Sequence, residues 1–133
     1  MEYSPALVCL PIADRPRSFA FYRDGLGLDA FGEPADDGVP EPLQFAVNAG
    51  LNLMLIPTGG FGWVIGDREV AKPGQTECVL TLGVGSPTDV DELVERAAAA
   101  GAIVVTPPGQ QPWGYEGSFA DPDGHLWQVH AQG

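Results

Sequence analysis

Positive charge is scarce in this sequence. Six Lys and Arg stand against 18 Asp and Glu, giving a formal net charge of -12 over 133 residues. A phosphate backbone is held by clustered cations, and this chain has none to cluster, which excludes nucleic acid as a partner and disfavours an anionic membrane surface. A cationic ligand is favoured at long range, although the same acidity also serves solubility alone. Cysteine is equally sparse. Cys9 and Cys78 are the only two, each inside an apolar, strand-like run, and they read as buried reduced thiols rather than a disulfide framework. No apolar run approaches the ~18 residues of a membrane helix, and no charged segment leads into an apolar one. These absences together point to a cytoplasmic location.

What the chain has in quantity is apolar residues, at 44%, together with 18 Gly and 13 Pro. The apolar content supports a folded core, and Gly and Pro scattered between short apolar stretches signal tight turns between short strands. Ala6 to Ile12 reads as a buried strand. Asp14 follows as an N-cap, and Pro16 to Arg23 reads as a helix with Phe19, Tyr22 and Leu26 on one stripe and Gly25 and Gly27 at its exit. Leu28 to Phe31 is a short strand, and Glu33 to Pro42 an acidic loop. Leu43 to Val47 and Leu51 to Ile56 form a hairpin about Asn48-Ala49-Gly50. Residues 57 to 74 show no period and read as a long connection.

The order then repeats. Glu77 to Val84 reads as a strand, Ser86 as a cap with Pro87 at the first helical position, and the helix runs to Gly101. Ala102 to Val105, Gly117 to Ala120 and His125 to His130 read as strands. Pro107 to Pro112 reads as a loop, and Asp121-Pro122-Asp123-Gly124 as a β-turn. The expectation is an α+β chain, one domain spanning 1–133 and made of two βαβββ modules, about 1–66 and 67–133, whose mixed sheets curl into a trough with helices outside.

Two segments carry a resemblance. Ser18-Phe19-Ala20-Phe21-Tyr22-Arg23-Asp24-Gly25-Leu26-Gly27-Leu28 is one. The other is Trp113-Gly114-Tyr115 with Phe119-Ala120-Asp121-Pro122-Asp123-Gly124-His125-Leu126-Trp127. With the doubled element order, they resemble the vicinal oxygen chelate superfamily of glyoxalases, bleomycin-resistance proteins and dioxygenases. That resemblance implies four inward positions, on the first and last strands of each module, where metal-dependent members hold His, Gln or Glu. Those positions fall here on Leu7, Met54, Val79 (Glu77 if the register slips by two) and Gln128. Hydrocarbon and thioether side chains do not bind the hard or borderline divalent ions this chemistry uses. The expectation is no metal and no other cofactor. The resemblance is therefore to the metal-lacking, bleomycin-resistance-like branch, which implies a homodimer.

Strand parity places Leu7, Cys9, Asn52, Met54, Ile56, Val79, Thr81, Leu126, Gln128 and His130 on the trough face. The candidate ligand-binding residues are Leu7, Cys9, Phe45, Met54, Trp63, Val79, Trp113, Tyr115 and Gln128, an apolar lining with a few polar groups and aromatic walls. Leu7, Ile56 and Val79 also fit plain core packing, and Trp63 and Trp113 also fit loop anchoring. No Gly-x-Ser-x-Gly elbow and no phosphate-cradling motif occur. No catalytic residue is assigned. Three readings stay open: a metal-free protein sequestering an antibiotic or other partly aromatic metabolite; an enzyme with a non-standard site, either a glyoxalase-like metal-dependent lyase with unusual ligands, a metal-free isomerase or a dioxygenase-related enzyme, which needs Glu77, Gln128 and His130 to converge; and a ligand-free subunit or regulatory module.

Overall fold

The computed structural model describes residues 1–132. They form two compact units, Met1–Arg23 with Gly27–Val70, and Asp24–Leu26 with the chain from Ala71 onward.

In the first unit, β1 (Ala6–Ile12) leads into α1 (Arg15–Ala20), followed by β2 (Asp29–Phe31), β3 (Leu43–Asn48) and β4 (Leu51–Pro57). The sheet order is β1-β4-β3-β2, with β1 parallel to β4 and the other pairs antiparallel. Asp14 caps α1 as expected, its carboxylate accepting from the Arg17 N–H at 2.9 Å. The helix is shorter than the Pro16–Arg23 expectation. It passes into a π turn over Phe21–Gly25, a widening that the periodicity of Phe19, Tyr22 and Leu26 does not reveal.

Alternation in the strands fixes which side is core. Leu10, Ile12, Leu43, Phe45, Leu53 and Leu55 are buried, and Tyr22 and Phe45 are fully enclosed. The Tyr22 and Phe45 rings lie 5.7 Å apart, and Phe19 stacks on Phe45 at 6.2 Å. The acidic loop is held by Arg15. Its Nη2 donates to the Val39 and Pro40 carbonyls at 3.0 Å each, and its Nε donates to Asp37 Oδ2 at 3.3 Å.

After β4 the expected featureless connection contains a helix, α2 (Thr58–Val64). Its three glycines conceal it from propensity. It begins where the Thr58 hydroxyl donates to the Ile12 carbonyl at 3.2 Å, a contact between chain segments far apart in sequence.

The second unit repeats the order with β5 (Leu80–Gly83), α3 (Pro87–Ala99), β6 (Ile103–Gln111), β7 (Gly114–Ala120) and β8 (Leu126–Ala131). Its sheet order, β5-β8-β7-β6, matches that of the first unit, again with the first and last strands parallel. Each unit is thus a four-stranded mixed sheet with a helix following its first strand, an α+β arrangement. Ser86 caps α3 through Asp89 N–H, and Val90, Val94 and Ala97 pack on the sheet with Phe119, Trp127, Val129 and Ala131. The Asp121–Gly124 turn forms as read, closed by Gly124 N–H to the Asp121 carbonyl at 2.9 Å.

Three expectations are corrected here. β5 begins at Leu80, so Glu77, Cys78 and Val79 precede it, and Cys78 is exposed rather than buried. Pro107 to Pro112 is not a loop up to Gln111, because β6 continues through Pro107 and Pro108 with two register shifts. It is an edge strand of the sheet, where a missing N–H on the outer side leaves no ladder bond unmade. β7 starts at Gly114 rather than Gly117.

Candidate functional site

The face of each sheet turned away from α1 and α3 is where side chains remain reachable. In the first unit, pairing brings Cys9, Met54 and Gln44 into one row, with Leu7, Asn52 and Ala46 in the next. Leu7 is 45% exposed, and Cys9 and Met54 are half-buried. This face carries soft apolar groups and two amides, and these six residues include no charge. Burial pushes the Cys9 thiol up, so it stays a neutral thiol more firmly than a free cysteine does. Trp63, on α2, is 83% exposed.

Phe45 does not join this face. It is fully buried on the helix side, between Phe19 and Tyr22. The pairing of Gln44 with Met54 is what turns Phe45 inward, and it overturns the expectation of Phe45 as an aromatic wall.

In the second unit the open face is polar. Thr81, Gln128 and Ser118 share a row, and Thr81 Oγ1 donates to Gln128 Oε1 at 3.1 Å. The next row holds Gly83, His130 and Glu116. Glu116 bridges two neighbours: Oε1 accepts from the Trp113 indole N–H at 2.8 Å, and Oε2 lies 3.3 Å from His130 Nδ1. Trp113 is otherwise 63% exposed. Val79 lies exposed just before β5.

Tyr115 is the second correction to the expected lining. It pairs with Ala131 on the helix side of the sheet, and its hydroxyl donates to Asp91 of α3 at 2.7 Å. Parity across the Asp121–Gly124 turn makes this unavoidable once Phe119 faces the core opposite Trp127.

The sequence reading missed the joint between Trp113, Glu116 and His130. A signal for it existed: counting outward from the Asp121–Gly124 turn sets Glu116 opposite His130.

The residues at the four resemblance-derived positions do not fit a metal. The side chains of Leu7 and Met54 in the first unit and Val79 in the second offer no nitrogen or oxygen ligand, and Gln128 supplies a single amide oxygen, which does not make a site. Among the described residues no three His, Cys, Asp or Glu side chains cluster in a way that could hold an ion. Nor is any helix among them long and apolar enough to cross a membrane.

An uncharacterized protein of Mycobacterium bovis is 32% identical over 134 aligned residues, covering 95% of this chain and 80% of that one. A glyoxalase-related enzyme from Fulvimarina pelagi has a similar structure, with a TM-score of 0.82 at 29% identity over 96% of this chain and 86% of its own. TnmS3, an antibiotic binding protein from Streptomyces sp. CB03234, shares the fold at a TM-score of 0.67 and 24% identity, covering 100% of this chain and 98% of its own. Residues 5–129 match the sequence family as a whole, and the chain belongs to the glyoxalase/bleomycin resistance protein/dioxygenase superfamily.

Proposed function

We propose that this protein binds a small, partly aromatic molecule, an antibiotic or related metabolite, without a metal ion, and acts by sequestering it. The observation that carries this reading is the open face of the first sheet. Its rows of Leu7, Asn52 and Ala46, and of Cys9, Met54 and Gln44, are uncharged and apolar with two amides, the usual make-up of a small-molecule surface. Two of the positions where metal-dependent relatives hold ligands, Leu7 and Met54, here add hydrocarbon and thioether to that surface. The fold is shared with TnmS3, which is an antibiotic binding protein.

The test is titration with a panel of aromatic and glycopeptide antibiotics, followed by tryptophan fluorescence and melting temperature. Exposed Trp63 and Trp113 make the fluorescence a sensitive report. A saturable response to at least one class is expected, with the compound recovered unchanged by mass spectrometry. Silence from every class would remove the support for this reading. Metal analysis of the purified protein is the companion experiment: stoichiometric zinc, nickel, iron or manganese would overturn the metal-free part.

The working form we propose is a homodimer. The exposed Ile103, Val104 and Val105 of edge strand β6 support this, since an apolar edge is a surface for pairing. Light scattering at twice the chain mass is expected, and a monomer at every concentration would reject it.

A second reading, a metal-free isomerase, is favoured by one observation, the contact between Glu116 and His130. It predicts that a bound compound is recovered chemically altered. Glu77, which that reading needed on the β5 strand, lies outside it.

A further inference from the structure

The second sheet carries a chain of contacts that the binding reading leaves unused. Glu116 stands directly opposite His130 on the open face, and one carboxylate engages two partners. Oε1 takes the Trp113 indole N–H at 2.8 Å, and Oε2 faces His130 Nδ1 at 3.3 Å. The His130 and Glu116 side chains are only 24% and 15% exposed.

Donor chemistry then decides which ring nitrogen carries the proton. An ionised carboxylate only accepts, so Nδ1 is the nitrogen that donates to Glu116, and in the neutral form of that tautomer the lone pair lies on Nε2. Nε2 has no protein partner among the described residues. The indole N–H also only donates, so Trp113 cannot satisfy Nε2 and instead ties the carboxylate in place.

Two positions flanking His130 carry no side chain. On the β5 side of His130 stands Gly83, and nothing lies within 4 Å of where its Cβ would be. On the β7 side the imidazole rests against Gly114, where a Cβ would come within 2.5 Å of the ring. One row away the Thr81 hydroxyl donates to the Gln128 oxygen at 3.1 Å.

We infer that this cluster is a recognition site for a phenol: His130 Nε2 accepts the hydrogen bond of an aromatic hydroxyl, Glu116 positions the imidazole, and Trp113 offers its ring to the aryl group. The inference rests on the reading that the protein binds a small, partly aromatic molecule, and it names a ligand class for the second sheet. An acceptor nitrogen calls for a donor. The exposed indole, tethered by a charge-assisted bond rather than by burial, selects an aromatic scaffold. An anion is disfavoured beside Glu116, and each oxygen of Glu116 already faces a partner, which favours a neutral donor over an ammonium group.

The experiment uses the full chain and the matched probes 2-naphthol and 2-methoxynaphthalene, measured by calorimetry. The ether keeps the rings and loses the donor. The expected result is tighter binding of the naphthol by about tenfold, the size of one well-made hydrogen bond. His130→Ala removes that preference. Glu116→Gln can turn its amide N–H toward Nδ1, forcing the proton onto Nε2. It should abolish the preference while affinity for the ether persists. Nitrogen-15 spectra of the His130 ring, recorded without ligand, should show the Nδ1–H tautomer in the native protein and the Nε2–H tautomer in Glu116→Gln. Equal affinity for the two probes, or an Nε2–H tautomer in the native protein, overturns the inference and leaves the binding reading standing. If neither probe binds and no antibiotic does, both fall.

Discussion

The Tyr115 hydroxyl donates to Asp91 Oδ1 at 2.7 Å, joining β7 to α3 on the side of the sheet away from the open face. The bond to Asp91, then burial, then the negative charge of Asp91 hold the Tyr115 hydroxyl above its ordinary value. A group whose folded value is raised contributes stability that is present below the unfolded value and lost as pH rises through the folded one. The melting-temperature gap between the native protein and Tyr115→Phe should therefore be constant up to about pH 10 and close above it. A gap that widens there would contradict the assignment. Because Tyr115 lies on the helix side, Tyr115→Phe should leave ligand affinity unchanged.

Asp37 gives the opposite sign. The Val39 N–H, bonded at 2.9 Å, and then the Arg15 guanidinium hold its carboxyl below the usual range. Its contribution is present above the unfolded value of about 3.9 and is lost as pH falls through the lower folded value. Asp37→Asn should loosen the 33–42 loop at neutral pH, seen as faster amide exchange at Val39. The difference from the native protein should vanish in strong acid. Glu41→Gln should do little at any pH. Glu41 is 60% exposed, and its 3.3 Å approach to Arg15 Nη1 is an ion pair of the weak, solvent-screened kind.

These two contacts mark the limit of what the sequence discloses. Caps at Asp14 and Ser86 and the turn at Asp121–Gly124 are local, because the residue supplying the bond sits within three or four positions of the one receiving it. The doubled element order and the open-face parity of Leu7, Cys9, Met54 and Gln128 follow from alternation within single strands. Tyr115 escapes the alternation because the sequence places the start of its strand at Gly117 rather than Gly114, and Phe45 because its facing is set by pairing with β4. In β3 that pairing includes a register shift between Ala46 and Asn48 that alternation cannot supply. Helix α2 and the extension of β6 were hidden by glycine and proline. Their positions are decided by the contact of Thr58 with Ile12 and by edge placement rather than by propensity.

Phe45 and Leu7 should separate folding from binding. Phe45 is fully buried among aromatic rings, and Phe45→Ala should cost about 3–5 kcal/mol in urea unfolding. Leu7 is 45% exposed, and Leu7→Ala should cost under about 1 kcal/mol while weakening ligand binding. If the Leu7 variant proves as unstable as the Phe45 variant, Leu7 is core and the open-face assignment is wrong.

Gly114 offers the sharpest test of how the second sheet holds His130. Its φ of 144° is a conformation that side-chain-bearing residues rarely adopt. An added Cβ would also stand 2.5 Å from His130 Cε1 and 2.9 Å from the Ala131 carbonyl oxygen. The imidazole is a side chain and can swing away from the added Cβ, breaking its contact with Glu116, whereas the clash with the backbone oxygen remains as strain. Gly114→Ala should lower stability by about 1–3 kcal/mol through strain alone. It should also release the His130 ring, with averaged tautomer signals in place of a fixed Nδ1–H. Gly83→Ala, on the opposite side of His130 with nothing within 4 Å of the added methyl, is the control and should leave the tautomer fixed. A Gly114→Ala protein with unchanged stability and an unchanged imidazole would mean that the ring does not rest on Gly114 in solution.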